Sequence, residues 1–505
     1  MNYRHPGFSH RSRMQSESLA TAGSRHPPHR RSRPGSPCPP AGLFAVLLLL
    51  ASGPALASAE TGQRTLDRLR DPLIVEGSEF AGLFDAEAPQ DLSLYAYGPG
   101  GFRAIPCQFD FIGEDKLVIP RQVNRVRQKA VYDFIPNPDY PERLAGRYQF
   151  LFMARDAGDL FPGPELPADF SKGVEIEIRD PVTGGVGWAY LMKPGTAPAP
   201  LKDDYVDYTL IKKGQQNTEQ IQAVGYVTGF PDANKPFAYG YWVIPRGAGG
   251  SGENLLQTLR VRVHIKILGL TLELDPKTNI IPYVLGYNDG PVRVTRRVFS
   301  SVVFKGIKMD WLMGGDAKLE TESHYYGDYF FFDGEVSLPG FVKKVSKIKA
   351  MFTTDFSKNA SGLTWFNSEN AADPGCVADG KMSPQEQALA QAPYGWSLLT
   401  GEQGGWANIL QMHTASVRPN MKLFYLDDSA YRYERDPDID GTWASTGYYL
   451  DKLDKAEEKV TFRTNIFAIP GDFSVSDTPQ LTRLVDNPLQ PAVKRFWGHK
   501  PDERN

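Results

Sequence analysis

Cysteine is nearly absent, with three in 505 residues. Cys38 lies in the N-terminal segment, which leaves Cys107 and Cys376. No C-x-x-C or C-x-x-C-H occurs, so thiolate metal sites and haem attachment lack their ligands. Cys107 and Cys376 could pair in an oxidising compartment, where closing so long a loop would stabilise by roughly 5 kcal/mol on chain entropy alone. Two separate buried thiols fit the sequence equally. Histidine is also scarce, and beyond residue 60 only His264, His324, His413 and His499 remain. A His-rich metal site would need three of these scattered positions to converge. G-x-S-x-G, H-E-x-x-H and a glycine-rich phosphate loop opening a helix are missing, so serine hydrolase, zinc protease and nucleotide chemistry have no support. After the N-terminal segment no run approaches 18 apolar residues, so a soluble chain without a membrane span is expected.

The first 59 residues read as an export signal. Arg25, Arg30, Arg31 and Arg33 precede the apolar run "AGLFAVLLLLASGPALA" from Ala41. Small residues then offer cleavage after Ala57 or Ala59, as a secretory signal requires. The apolar core is well short of the roughly 20 residues that span a bilayer. A periplasmic or secreted protein is therefore expected. The segment holds seven arginines and one acidic residue, so the remainder carries 49 basic and 58 acidic residues, a net of −9. Such a chain has no general attraction for phosphate backbones, which argues against nucleic acid as a partner.

What is plentiful is alternation. In "LRVRVHIKI" (259–267) the aliphatic residues face one way and Arg260, Arg262, His264 and Lys266 the other, which is the pattern of a half-buried strand. "LTLEL" (270–274) repeats it as a hairpin partner would. Similar strands follow at 174–179, 187–192, 291–304 and 318–332. Helix signals are few: "SPQEQALAQA", with Ser383, Pro384 and Glu386 forming a capping box, and "TPQLTRLV" (478–485). An all-β chain is expected, with an immunoglobulin-like sandwich over 60–198, a Pro- and Ala-rich boundary at 193–204, and a large antiparallel sandwich over 205–495.

Three stretches carry a resemblance: "FRAIPCQFDFIGEDKLVI" (102–119), "YQFLFMARDAGDLF" (148–161) and "YNDGPVRVTRRV" (287–298). In that order they resemble an uncharacterised family of secreted bacterial β-sandwich proteins of unknown function. The resemblance implies a C-terminal domain similar to the galactose-mutarotase-like supersandwich, shared by sugar epimerases and polysaccharide lyases. Cys107 and the loop 367–381 depart from the family pattern. A fold does not transfer an activity.

Candidate chemistry centres on "ETESHYYGDYFFF", where extended geometry puts Glu322, His324, Tyr326 and Asp328 on one face. His324 or Tyr326 could exchange a proton α to a carboxylate held by Arg293 and Arg297. The same residues could equally form the wet face of a sheet. Tyr329, Trp406 and Trp443, with Tyr325, Tyr326, Tyr448 and Tyr449, could offer stacking platforms for sugar rings, or simply pack in the core. Asp436, Asp438, Asp440 and Gly441 match the first half of an EF-hand loop, but the twelfth position is Gly447, so only a calcium-braced loop of another kind, or a solvated turn, fits. No other cofactor is indicated. Three functions remain open: binding of a glycan or small molecule, a carbohydrate lyase or epimerase, and an envelope scaffold.

Overall fold

A computed structural model describes residues 62–498 apart from 114–115, 124–133, 197–200, 202–203, 214–215, 231–238, 268–269, 275–279, 305–306, 309–318, 338–344, 373, 390–394, 433–440 and 454–458. The chain is all-β with antiparallel sheets, as the alternation predicts. Both expected helices form, at Pro384–Leu389 and Thr478–Asp486. The first is started by the capping box: Glu386 N–H donates to Ser383 Oγ at 3.2 Å, and Ser383 N–H to Glu386 Oε2 at 2.6 Å.

A smaller sandwich packs a three-stranded sheet (Pro72–Glu76, Tyr148–Met153, Gln108–Phe111) against a five-stranded one. Leu73, Val75, Phe150 and Phe152 meet Leu94, Val174, Ile176 and Leu191 between them. A larger sandwich packs a twelve-stranded sheet against sheets of four and five strands. Its core joins Trp242, Tyr325, Phe330, Trp365 and Trp406, and a second cluster holds Ile348, Leu423, Leu450 and Met412.

The expected boundary falls between the strands Val186–Pro194 and Val206–Lys213, yet two segments cross it. Arg121–Val123 pairs with Ile280–Asp289 and so joins the large sheet. The last strand, Gln490–Trp497, pairs with Phe170–Arg179 and closes the smaller sandwich. Residues 490–495, assigned from sequence to the larger sandwich, thus belong to the smaller one. A strand carries no label for its sheet, because alternation reports one buried face and not the partner that buries it. Cys107 and Cys376 do not pair. Cys107 packs against the core of the smaller sandwich, where burial pushes its thiol up to about 12, and Cys376 lies in the core of the larger.

Candidate functional site

The strand Val294–Phe304 pairs with Leu319–Tyr325 so that Thr295 opposes His324 and Arg297 opposes Glu322. Residues opposed across a ladder project from the same face. Tyr329–Ser337 continues the rows, placing Phe331 opposite His324 and Asp333 opposite Glu322. Lys459–Ile469 adds Asn465 and Arg463, and Gly405–Met412 adds Gln411 beside Arg463. One row therefore reads Arg297, Glu322, Asp333, Arg463, Gln411, and the next Thr295, His324, Phe331, Asn465, Ile409. The hairpin is closed by Tyr326 N–H donating to Tyr329 O at 2.9 Å.

This face is not bare. Leu151 and Met153 of the smaller sandwich pack with Tyr326, Tyr329, Phe331 and Phe467, and helix residue Leu481 joins them. The cover is incomplete and leaves a cleft of about 450 Å³, lined by Asp71, Lys116, Arg147, Gln149, Arg293, Glu322, His324, Tyr326, Tyr329, Phe331, Gln411, Arg463 and Asn465 among others. That volume lies within the roughly 300–1,000 Å³ usual for small-ligand sites.

Arg293 is set in place by the smaller sandwich. Gln108 Oε1 accepts from the backbone N–H groups of Val292 (3.1 Å) and Arg293 (2.8 Å), and its Nε2 donates to Arg293 O at 3.0 Å. Asp110 Oδ2 accepts from Arg293 Nε at 3.1 Å and Nη2 at 2.5 Å, while Asn288 Nδ2 donates to Oδ1 at 2.5 Å. Gly290 is required here, because a Cβ would sit 2.4 Å from the Gln108 amide. The "IPCQFD" and "GPVR" stretches are thus two halves of one joint. Burial alone would lower the Arg293 pKa, but the Tyr326 oxygen and the Asp110 carboxylate raise it, so the guanidinium stays charged. Its Nη1 donates to Tyr326 Oη at 3.3 Å.

His324 is 6% exposed, and both of its ring nitrogens are engaged. Nδ1 meets Thr295 Oγ1 at 3.2 Å and Nε2 meets Glu322 Oε1 at 3.3 Å. Burial, with Arg293 nearby, lowers its pKa despite Glu322, so the neutral ring is favoured. Burial would raise Glu322, but hydrogen bonding from His324 and the Arg297 guanidinium pull its carboxyl down to about 2. At the mouth, Arg463 pairs with both oxygens of Asp333 at 2.7 and 2.8 Å and lies over the Phe331 ring, 4.1 Å from its centroid.

Five of the candidate residues therefore line one cleft: Arg293, Glu322, His324, Tyr326 and Tyr329. Arg297 sits beside it, held by Glu322 and by Leu117 O at 2.7 Å. Asp328 does not share the face. The strand ends at Tyr325, and the turn hands Asp328 to Arg155 of the smaller sandwich. Trp406 is corrected to a core residue: it is 3% exposed and packs edge-on against Trp242 on the opposite side of the sheet. Tyr325 and Tyr448 are core residues too. Trp443 is half-buried on Thr442–Leu450, in a different sheet from the cleft-lining strands. Asp436, Asp438 and Asp440 lie outside the described residues. Among the described residues no three His, Cys, Asp or Glu side chains group as metal ligands. Sequence reasoning missed Gln149, although it lies in the quoted stretch 148–161, and Gln411, Arg463 and Asn465, whose only signal is strand parity far along the chain.

No protein-family model matches the chain, and no curated protein matches it. Among solved structures it is similar to an alpha-mannosidase from Enterococcus faecalis V583, with a TM-score of 0.43 and 11% identity over 86% of this chain and 45% of that one. A glycosyl hydrolase family 38 protein from Enterococcus faecalis gives a TM-score of 0.43 and 9% identity over 86% and 47%. A heparinase III gives a TM-score of 0.26 and 11% identity over 55% and 37%. The chain spans under half the length of each. Superpositions this loose leave function to be argued from the site.

Proposed function

We propose that this is an exported saccharide-binding protein whose site is the cleft between the two sandwiches. One observation carries the reading: a closed set of donors and acceptors converges on an aromatic floor. Arg293, Arg463, Gln149 and Gln411 bring N–H groups to the wall, Glu322 and the amide oxygens bring acceptors, Asn465 among them because its own N–H groups go to Ile409 O and Gln411 Oε1, and Tyr329 and Phe331 line the base. Sugar hydroxyls donate and accept at once, so they suit paired guanidinium and carboxylate groups beside amides. Phe331 already lies under the Arg463 guanidinium, so the aromatic base offers the apolar side of a pyranose a packing surface and not an open stacking face. Binding is favoured over catalysis because both nitrogens of His324 already have partners, which leaves the ring poorly placed to take a proton.

A lyase or epimerase is the second reading, supported by the Tyr326 phenol beside the charged Arg293. Calorimetric titration with neutral and acidic mono- and oligosaccharides tests both. The binding reading expects saturable heat that Asn465→Ala and Gln411→Ala each weaken about tenfold without product forming, since one lost hydrogen bond is worth about 1 kcal/mol or more. Turnover abolished by Tyr326→Phe would establish the second reading. Neither heat nor turnover with any sugar would overturn both.

A further inference from the structure

Most of the charge that lines the cleft arrives already paired. Asp71 pairs with Arg68, Arg293 with Asp110, Glu322 with Arg297 and Arg463 with Asp333. In the last three pairs the guanidinium spends its Nε and Nη2 donors together. Arg293 gives both to Asp110 Oδ2, Arg463 gives them to Asp333 Oδ1 and Oδ2, and Arg297 gives both to Glu322 Oε2. That edge is a fork that would otherwise hold a ligand carboxylate through two parallel hydrogen bonds. Lys116 and Arg147 also line the cleft, but both are exposed, and water screens their charge far more than it screens the buried pairs.

Glu322 keeps one acceptor site. Its Oε2 takes both Arg297 donors, and its Oε1 lies 3.3 Å from His324 Nε2. A carboxylate cannot donate, so Nε2 of the neutral ring carries the proton, and Nδ1 accepts from the Thr295 hydroxyl at 3.2 Å. A carboxylate oxygen has about two lone-pair sites, so Oε1 retains one without a partner among the described residues.

We propose that the cleft selects neutral over acidic saccharides, with Glu322 as the specificity-determining residue: its Oε1 accepts a hydroxyl of the sugar, and Arg293, Arg297 and Arg463 have no Nε–Nη2 fork open to a uronate. The inference rests on the saccharide reading above and adds the class of sugar. A hydroxyl can donate to Oε1, whereas a ligand carboxylate is an acceptor only and meets a like charge there. His324 is a positioning residue in this scheme, because its single N–H fixes the Glu322 carboxylate from one side while Arg297 fixes it from the other.

Calorimetric titration of the full chain with oligosaccharides in matched pairs tests this: galactose against galacturonate, glucose against glucuronate, mannose against mannuronate. Each pair differs only at C6, a hydroxymethyl group in one member and a carboxylate in the other. At least one neutral member is expected to bind about tenfold or more tighter than its acid, with a Kd that salt leaves unchanged. Asp333→Ala opens the Arg463 fork and should raise affinity for the acid about tenfold. The Asp333 side chain is 46% exposed, so this variant keeps the fold. Glu322→Gln should weaken the neutral sugar and narrow the preference, because an amide can turn its N–H2 toward a ligand carboxylate. An acid that binds the parent as tightly as its neutral partner overturns the selection and leaves the saccharide reading standing. An Asp333→Ala variant with no gain for the acid, or a Glu322→Gln variant with an unchanged preference, overturns it as well. No heat from either member of any pair overturns the saccharide reading together with this inference.

Discussion

Asp110→Ala tests the joint between the sandwiches. Asp110 and Arg293 are 1% and 3% exposed, and the carboxylate also accepts from Gln108 Nε2 at 2.9 Å and from Asn288. Removing it leaves a buried guanidinium with Tyr326, and more weakly Gln149, as its remaining side-chain partners. Breaking a buried pair from one side costs about 3–5 kcal/mol. If the smaller sandwich melts alone, as a unit of roughly 150 residues, about 2–4 °C per kcal/mol gives a Tm drop of roughly 6–20 °C. If both sandwiches melt together, the larger unfolding entropy shrinks the drop to roughly 3–5 °C. Differential scanning calorimetry separates these cases by the number of transitions. Asp110→Leu/Arg293→Met should recover most of the stability, since replacing both charges by apolar groups is often neutral, while still losing saccharide affinity. A single variant within about 1 kcal/mol of the parent, or a double variant no more stable than Asp110→Ala, would refute the reasoning.

Three further outcomes are expected. Glu322 has its carboxyl lowered to about 2 in the fold, so its stabilisation is present above about 4.5 and lost as pH falls below that; buried His324, held neutral, adds a loss beginning below about 6.5. Urea unfolding followed against pH should show both, and Glu322→Gln should flatten the lower one. Deleting residues 490–505 strips the edge strand beside Phe170–Arg179, so the smaller sandwich should become protease-sensitive; resistance equal to the full chain counts against its role there. If Asp436, Asp438 and Asp440 hold calcium, the ion at 100-fold over Kd should add about 2.7 kcal/mol, and Asp438→Ala should remove it. Equal melting in calcium and in chelator leaves the loop as a turn.

The sequence alone determined the all-β class, both helices and the shared face of Glu322 and His324, because each rests on local periodicity or on a cap within four residues. The hairpin also carried Tyr326 to that face. Extrapolating the same alternation to Asp328 failed, since a turn ends a strand's parity and an ion pair with Arg155 redirected the side chain. Trp406 and Tyr329 look alike as exposed-aromatic candidates. Packing buries both, at 3% exposure each, but sets one against Trp242 in the core and the other at the wall of the cleft. The tertiary structure likewise decided that Gln108 and Asp110 grip Arg293, nearly two hundred residues away, and that the last strand returns to the first sandwich. Alternation tells each strand which side to bury. The partner that buries it, and therefore the gap that becomes a cleft, is settled by contacts between segments far apart in the chain.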